Sequence, residues 1–105
     1  MNTRKESEIL RAILNYLTVR KVFHFRINTQ GNFNNRLQKW LPSPNVTKGV
    51  ADIICLKNGK MICLEVKSET GKSSTDQILF SLKVSSGGGQ YFIVHSVDDV
   101  MAIGL

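Results

Sequence analysis

The order of hydrophobic patterns along this chain predicts an α/β fold, a mixed sheet flanked by helices in three layers. Three observations carry that expectation. A 3-4 spaced apolar stripe opens the sequence. Two β-type runs meet at Asn58-Gly59 in its centre. A capped amphipathic segment and a short β-type run follow. The 105 residues suit one domain with one modest core. With 42% hydrophobic and 21% charged residues, the composition is that of an ordinary globular chain, not a disordered one.

The first helix is expected over about residues 4–20. Thr3-Arg4-Lys5-Glu6 has the form of a capping box, and Ile9, Leu10, Ile13, Leu14 and Leu17 make one buried face. Residues 22–28 alternate apolar and polar and read as a strand. From Thr29 to Lys48 the pattern dissolves into Asn, Gly, Gln and Pro, which predicts a long, mobile, basic loop. Residues 50–56 form the next strand, Lys57-Asn58-Gly59-Lys60 the tight turn, and residues 61–67 the returning strand. After a polar link, Ser74-Thr75-Asp76-Gln77 is a second capping box. It opens a helix through Ile78, Leu79, Leu82 and Val84, which Gly87-Gly88-Gly89 stops. A short strand at 91–95 and a short helix at 97–103 complete the order α-β-β-β-α-β-α.

Fourteen basic residues against eight acidic ones give a formal charge of +6, which concentrates polyanions, nucleic acid first among them. No apolar run approaches the roughly 20 residues that cross a bilayer. The N-terminus leads into an amphipathic pattern and not a secretory signal, so an intracellular protein with no membrane partner is expected. Cys55 and Cys63 lack the Cys/His company of a zinc site and are expected as buried thiols. His24 and His95 sit in strand patterns without a partner in sequence and are expected to be structural.

The chemistry concentrates in the hairpin. With Asn58-Gly59 as its turn, Leu56 faces Met61, Ile54 faces Cys63, and Asp52 faces Glu65. Opposed residues share a face and lie close enough for two carboxylates to repel. The period of two puts Lys67 on that face as well, and Cys55 on the other face from Cys63, so no disulfide joins them. The acids stand among Val50, Ile54, Leu56, Met61 and Cys63, where a charge pair is costly unless something offsets it. A shared proton, a nearby cation or a hard divalent ion such as Mg²⁺ would do so. On the first helix, Glu6 projects toward the apolar stripe and Glu8 away from it. Glu6 is therefore either an inward-facing third acid or the capping-box acid.

Lys48-Gly49-Val50-Ala51-Asp52, Leu64-Glu65-Val66-Lys67, Gly71 and Ser74-x-x-Gln77 together resemble the motif set of the VRR-NUC family, within the PD-(D/E)XK nuclease superfamily that also holds Holliday-junction resolvases. The resemblance spans nearly the whole chain. One departure is Ala51, which stands where the superfamily name has proline; that position supplies no ligand. The resemblance implies a restriction-endonuclease-like α-β-β-β-α-β core in a single nuclease domain over residues 1–105. It also implies metal-dependent phosphodiester hydrolysis of DNA. Asp52 and Glu65 would hold Mg²⁺ or Mn²⁺, with the Val66 carbonyl and Glu6 assisting. Lys67 would position or help deprotonate the attacking water. Gln77 would lie beside the site, although its cap role alone also accounts for it.

Arg36, Lys39 and Lys48 in the long loop suit phosphates. Trp40 or Phe33 could stack on a base, or Trp40 could pack beneath its own loop. Arg26 and Asn28, ending the first strand, are placed at the border of the site. The family resemblance makes a structure-selective endonuclease on branched DNA, such as a four-way junction, the expected activity. Two symmetric cuts in such a substrate imply a homodimer, and a domain this small could also serve a helicase or similar partner. The rivals are a nuclease of flaps, nicks or ends, a non-catalytic basic DNA-binding module, and a structural or RNA-binding protein.

Overall fold

The computed structural model describes residues 5–27, 32–41 and 47–105. The elements run α1 (Glu6–Val19), β1 (Phe23–Arg26), β2 (Asn32–Asn34), β3 (Lys39–Leu41), β4 (Ile53–Lys57), β5 (Lys60–Val66), α2 (Thr75–Ser86), β6 (Gln90–Val94) and α3 (Val97–Ala102). Four strands form one mixed sheet in the order β1-β4-β5-β6. The first two pairings are antiparallel and β5–β6 is parallel. A parallel return needs a crossover, and α2 supplies it. The chain is thus an α/β protein with a mixed sheet and helices on both faces. Among the described residues no helix is long and apolar enough to cross a membrane.

The hairpin at the centre takes the expected register: Leu56 pairs with Met61 and Ile54 with Cys63. Asn58 and Gly59 both have positive φ, 54° and 78°, which the two-residue turn demands. Alternation along β5 then divides the core. Ile62, Leu64 and Val66 join Ile53 and Cys55 beneath Ile9, Ile13 and Leu17 of α1 and Val100 of α3. Cys63 turns the other way, to Ala51 and Ile54, with Phe80 and Val84 of α2 and Tyr91 packed on them. The two cysteines are buried, free and in different clusters, as the alternation requires. Burial pushes both thiols up to about 11, so both stay neutral.

Several expectations need correction. α1 begins at Glu6 with Lys5 as its N-cap, and no side chain caps it; the Lys5 carbonyl takes the Glu8 and Ile9 amides. Glu6 is therefore the first helical residue and cannot be the third-position acid of a capping box. Thr3 lies outside the described residues. The segment read as one long loop contains an antiparallel hairpin, with Asn32 opposite Leu41, Phe33 opposite Trp40 and Asn34 opposite Lys39. β4 starts at Ile53 and not at residue 50, because Gly49 holds a φ of 74° and the chain bends at Asp52. The helix α2 forms as expected; Phe80 and Val84 face the sheet, and Ile78, Leu79 and Leu82 are exposed.

Candidate active site

The polar group gathers where β4 and β5 part company, just past the Ile53–Leu64 rung. Asp52 bonds in two directions at once. Its carbonyl accepts the Ile27 amide beyond β1 at 2.9 Å, while its carboxylate accepts the Val66 amide of β5 at 2.8 Å. A side chain thus satisfies an amide that a continuing ladder would have paired, and Asp52 is fixed next to Glu65.

Glu65 is the buried charged residue of the described chain, 3% exposed on the same face as Cys63. Its Oε2 accepts from the Gln77 amide at 3.1 Å and lies 3.6 Å from the Lys67 ammonium. Its Oε1 is buried without any hydrogen-bond partner. Burial first, then the charge of Asp52 and a proton shared between the two carboxyls, push its carboxyl up from 4.5 to about 7, against the opposing pull of Lys67. Near neutral pH the carboxyl is therefore poised between its two forms. A buried acceptor atom left bare costs free energy, and a proton or a cation bound there removes the cost.

Gln77 performs both roles that the sequence left as alternatives. Its Oε1 accepts the Ser74 amide at 3.0 Å, and its own amide donates to Ser74 Oγ at 3.2 Å, closing the capping box. Its Nε2 remains to hold Glu65. The start of α2 is pinned in turn by Gly49. A Cβ there would stand 2.3 Å from the Asp76 carbonyl carbon and 2.7 Å from the Gln77 nitrogen, so only glycine lets the two backbones meet.

Lys67 is 12% exposed along its side chain and is guided by its surroundings. A Cβ on Gly71 would come within 3.2 Å of its Cδ, so Gly71 lines the path of the lysine stem. The Lys67 amide donates to the Val94 carbonyl, and its carbonyl accepts from His95 Nδ1 at 3.1 Å. His95 is therefore structural, yet it braces the backbone of a site residue. His24 donates to the Val22 carbonyl at 2.7 Å and stays clear of the site.

The structure brings Asp52, Glu65, Lys67 and Gln77 together and leaves other candidates apart. Glu6 is exposed at the start of α1, a helix packed on the opposite face from Glu65. Among the described residues no third acid, histidine or cysteine joins Asp52 and Glu65 as a metal-binding group. Two acids placed in the first turn suit the positive end of a helix, which accounts for Glu6 and Glu8 without a ligand role. Arg26 pairs with Ile53, so its exposed side chain falls on the α1 face. Asn28 lies outside the described residues. Arg36, Lys39 and Trp40 are exposed on the β2–β3 hairpin, whose backbone lies against no other described helix or strand. Trp40 is 60% exposed. Lys48 is exposed one residue before the Gly49 contact with α2.

One residue of the site escaped the sequence. Tyr91, opposite Cys63 in β6, has a buried hydroxyl with no partner. Burial and the charges of Glu65 and then Asp52 push it up to about 12. Two orphaned polar atoms thus share one neighbourhood. The only sequence signal was a tyrosine on the inward phase of a strand pattern.

No protein-family model matches the chain, and no curated protein matches it.

Proposed function

We propose that this chain is a metal-dependent, structure-selective DNA endonuclease of the VRR-NUC type, with a restriction-endonuclease-like core and Asp52, Glu65 and Lys67 as its catalytic centre. The observation that carries the proposal is the bare Oε1 of Glu65, buried beside a second carboxylate and an ammonium. The donor set fits a hard divalent ion: two carboxylates and the Val66 carbonyl, with room in the coordination shell for water and phosphate oxygen. Bound Mg²⁺ or Mn²⁺ would supply Lewis-acid polarisation of the phosphate and a more acidic water.

The chain's own residues divide the remaining work. Asp52, anchored by the Val66 amide, and Glu65, anchored by Gln77, present fixed oxygens. Lys67 has its ammonium against Glu65 and stabilises negative charge that develops on the scissile phosphate. Gln77 is a positioning residue, since it acts through Glu65. Exposed Lys48, Arg36 and Lys39 serve phosphates, and Trp40 offers a stacking surface. The net charge of +6 favours DNA over neutral substrates. Branched DNA is the proposed substrate class, cut by a homodimer inside the cell, alone or beside a helicase-like partner.

The test is cleavage of labelled four-way junction, flap and linear duplex with Mg²⁺, Mn²⁺ or EDTA, by the wild type and Lys67→Ala. Cleavage of branched substrates that needs the metal and falls by about 100-fold or more in the variant is the expected result. Cleavage that survives EDTA, or equal cleavage by Lys67→Ala, rejects the mechanism. Tight binding without cleavage by the wild type would instead support a non-catalytic DNA-binding module.

A further inference from the structure

The face of the sheet that carries the acids is covered over only part of its width. Phe23 and Phe25 of β1 pair with Leu56 and Ile54 of β4, and Leu56 pairs with Met61 of β5, so Phe23, Phe25, Leu56 and Met61 share this face. The two phenylalanine rings are 6.1 Å apart. All four side chains are substantially exposed, from Met61 at 41% to Phe23 at 64%. The α2 backbone lies against β6 and, among the described elements, against neither β1 nor β4. On the opposite face α1 reaches β1 and covers what this face leaves bare.

The same helix has a second apolar side. Phe80 and Val84 face the sheet, and at about 100° per residue Leu82 projects roughly opposite them, with Ile78 and Leu79 on either side. Those three are 50–60% exposed. In its 12 residues α2 carries two charges, Asp76 and Lys83. One molecule therefore shows an apolar sheet surface that lacks a helix and a helix with a spare apolar side.

We infer that a second copy of this chain completes the face, with α2 of each copy lying over β1 and β4 of the other. The seven side chains expose roughly 700 Å², taking about half of ~200 Å² each. Summed over the two surfaces, that approaches the ~800 Å² per partner of a standard interface. The arrangement is reciprocal, as a two-fold axis requires: the helix meets the partner's sheet, and the sheet meets the partner's helix. The area and the pairing stand independently of the nuclease reading. A branched substrate asks only for two copies, whereas the exposed surface says where they meet.

Sedimentation analysis of the whole chain at micromolar concentration, without DNA, tests this. The wild type is expected as a dimer. Leu82→Glu and, separately, Phe23→Lys alter exposed positions and are expected to keep the wild-type circular dichroism and melting curve of an intact subunit. Each should weaken dimerisation by about 100-fold or more, because symmetry counts every substitution twice. Mixing the two variants should restore a heterodimer, since one contact is then native and the other sets the introduced carboxylate against the introduced ammonium. A monomeric wild type overturns the inference, including one that cosediments with lipid vesicles instead. So does a dimer that neither variant weakens, or two folded variants that fail to pair. Loss of metal-dependent cleavage on Lys67→Ala bears on the nuclease reading alone, so either can fail without the other.

Discussion

The two faces of the sheet are built from the same strands and treated in opposite ways. On one, α1 and α3 seal Ile53, Cys55, Ile62, Leu64, Val66 and Val94 into a purely apolar core. On the other, Ala51, Ile54 and Cys63 make a small cluster, an acid pair stands beside it, and large apolar side chains reach solvent. β5 serves both: Leu64 and Val66 point into the sealed core, and Glu65 between them points to the site. Strand alternation thus lets one rigid segment hold the fold together and fix a carboxylate whose environment opposes its charge. The sealed face contributes the stability that the other face gives up.

The largest effect on stability should come from the sealed face. Ile13→Ala removes a fully buried side chain and should cost about 3–4 kcal/mol in denaturant or thermal unfolding. An alanine at exposed Leu82 should change subunit stability by no more than about 0.5 kcal/mol once the chain is monomeric. Equal costs at the two positions would erase the contrast between the faces.

Gly49→Ala comes next. It adds strain at positive φ and drives a Cβ into the Asp76–Gln77 backbone, so it should cost about 2–3 kcal/mol. It should also displace Gln77 from Glu65, and cleavage should fall more than the loss of folded protein explains.

Glu65→Gln sharpens the comparison through pH. The folded carboxyl titrates at about 7, above its ordinary 4.5, so the metal-free protein binds this proton more tightly than the unfolded chain does. The contribution is complete below about 4.5 and is lost as pH rises through about 7. Between pH 5 and 8 the metal-free wild type should lose on the order of 2 kcal/mol from this group. The amide variant should lack that slope and be the more stable of the two at pH 8. Unfolding curves across this range check it.

The smallest effect belongs to the cap. Ser74→Ala removes the hydroxyl that accepts the Gln77 amide and should cost about 1 kcal/mol. Cleavage should decline further as Gln77 loses its fixed position.

How much of this was legible depended on how local the signal was. Asn58-Gly59 dictated the turn, the turn dictated the register, and the register placed Cys55 and Cys63 on opposite faces and the site residues on one. Ser74 and Gln77 announced a capping box, but that the spare amide nitrogen of Gln77 reaches Glu65 depends on the crossover geometry of α2. The β2–β3 hairpin was hidden because its strands have three residues each and almost no alternation to read. Ile78, Leu79 and Leu82 marked α2 as a helix, but α2 is apolar on two sides, and only packing shows which side meets the sheet. Tyr91 was illegible as a site residue: its phase in β6 is that of any core tyrosine, and its orphaned hydroxyl exists only in three dimensions. Glu6 misled because one carboxylate can suit a cap, a helix dipole or a ligand, and the choice turns on where the helix begins.

The most direct measurement is calorimetric titration of the metal-free protein with Mn²⁺ at pH 6 and pH 8, for the wild type and Glu65→Gln. Binding by the wild type should be tighter at pH 8, because the carboxyl must release its proton first, and should fall by at least about 10-fold in the variant. Equal affinity in the two proteins, or no Mn²⁺ binding by the wild type at pH 8, would contradict the assignment of Asp52 and Glu65 as a cation site.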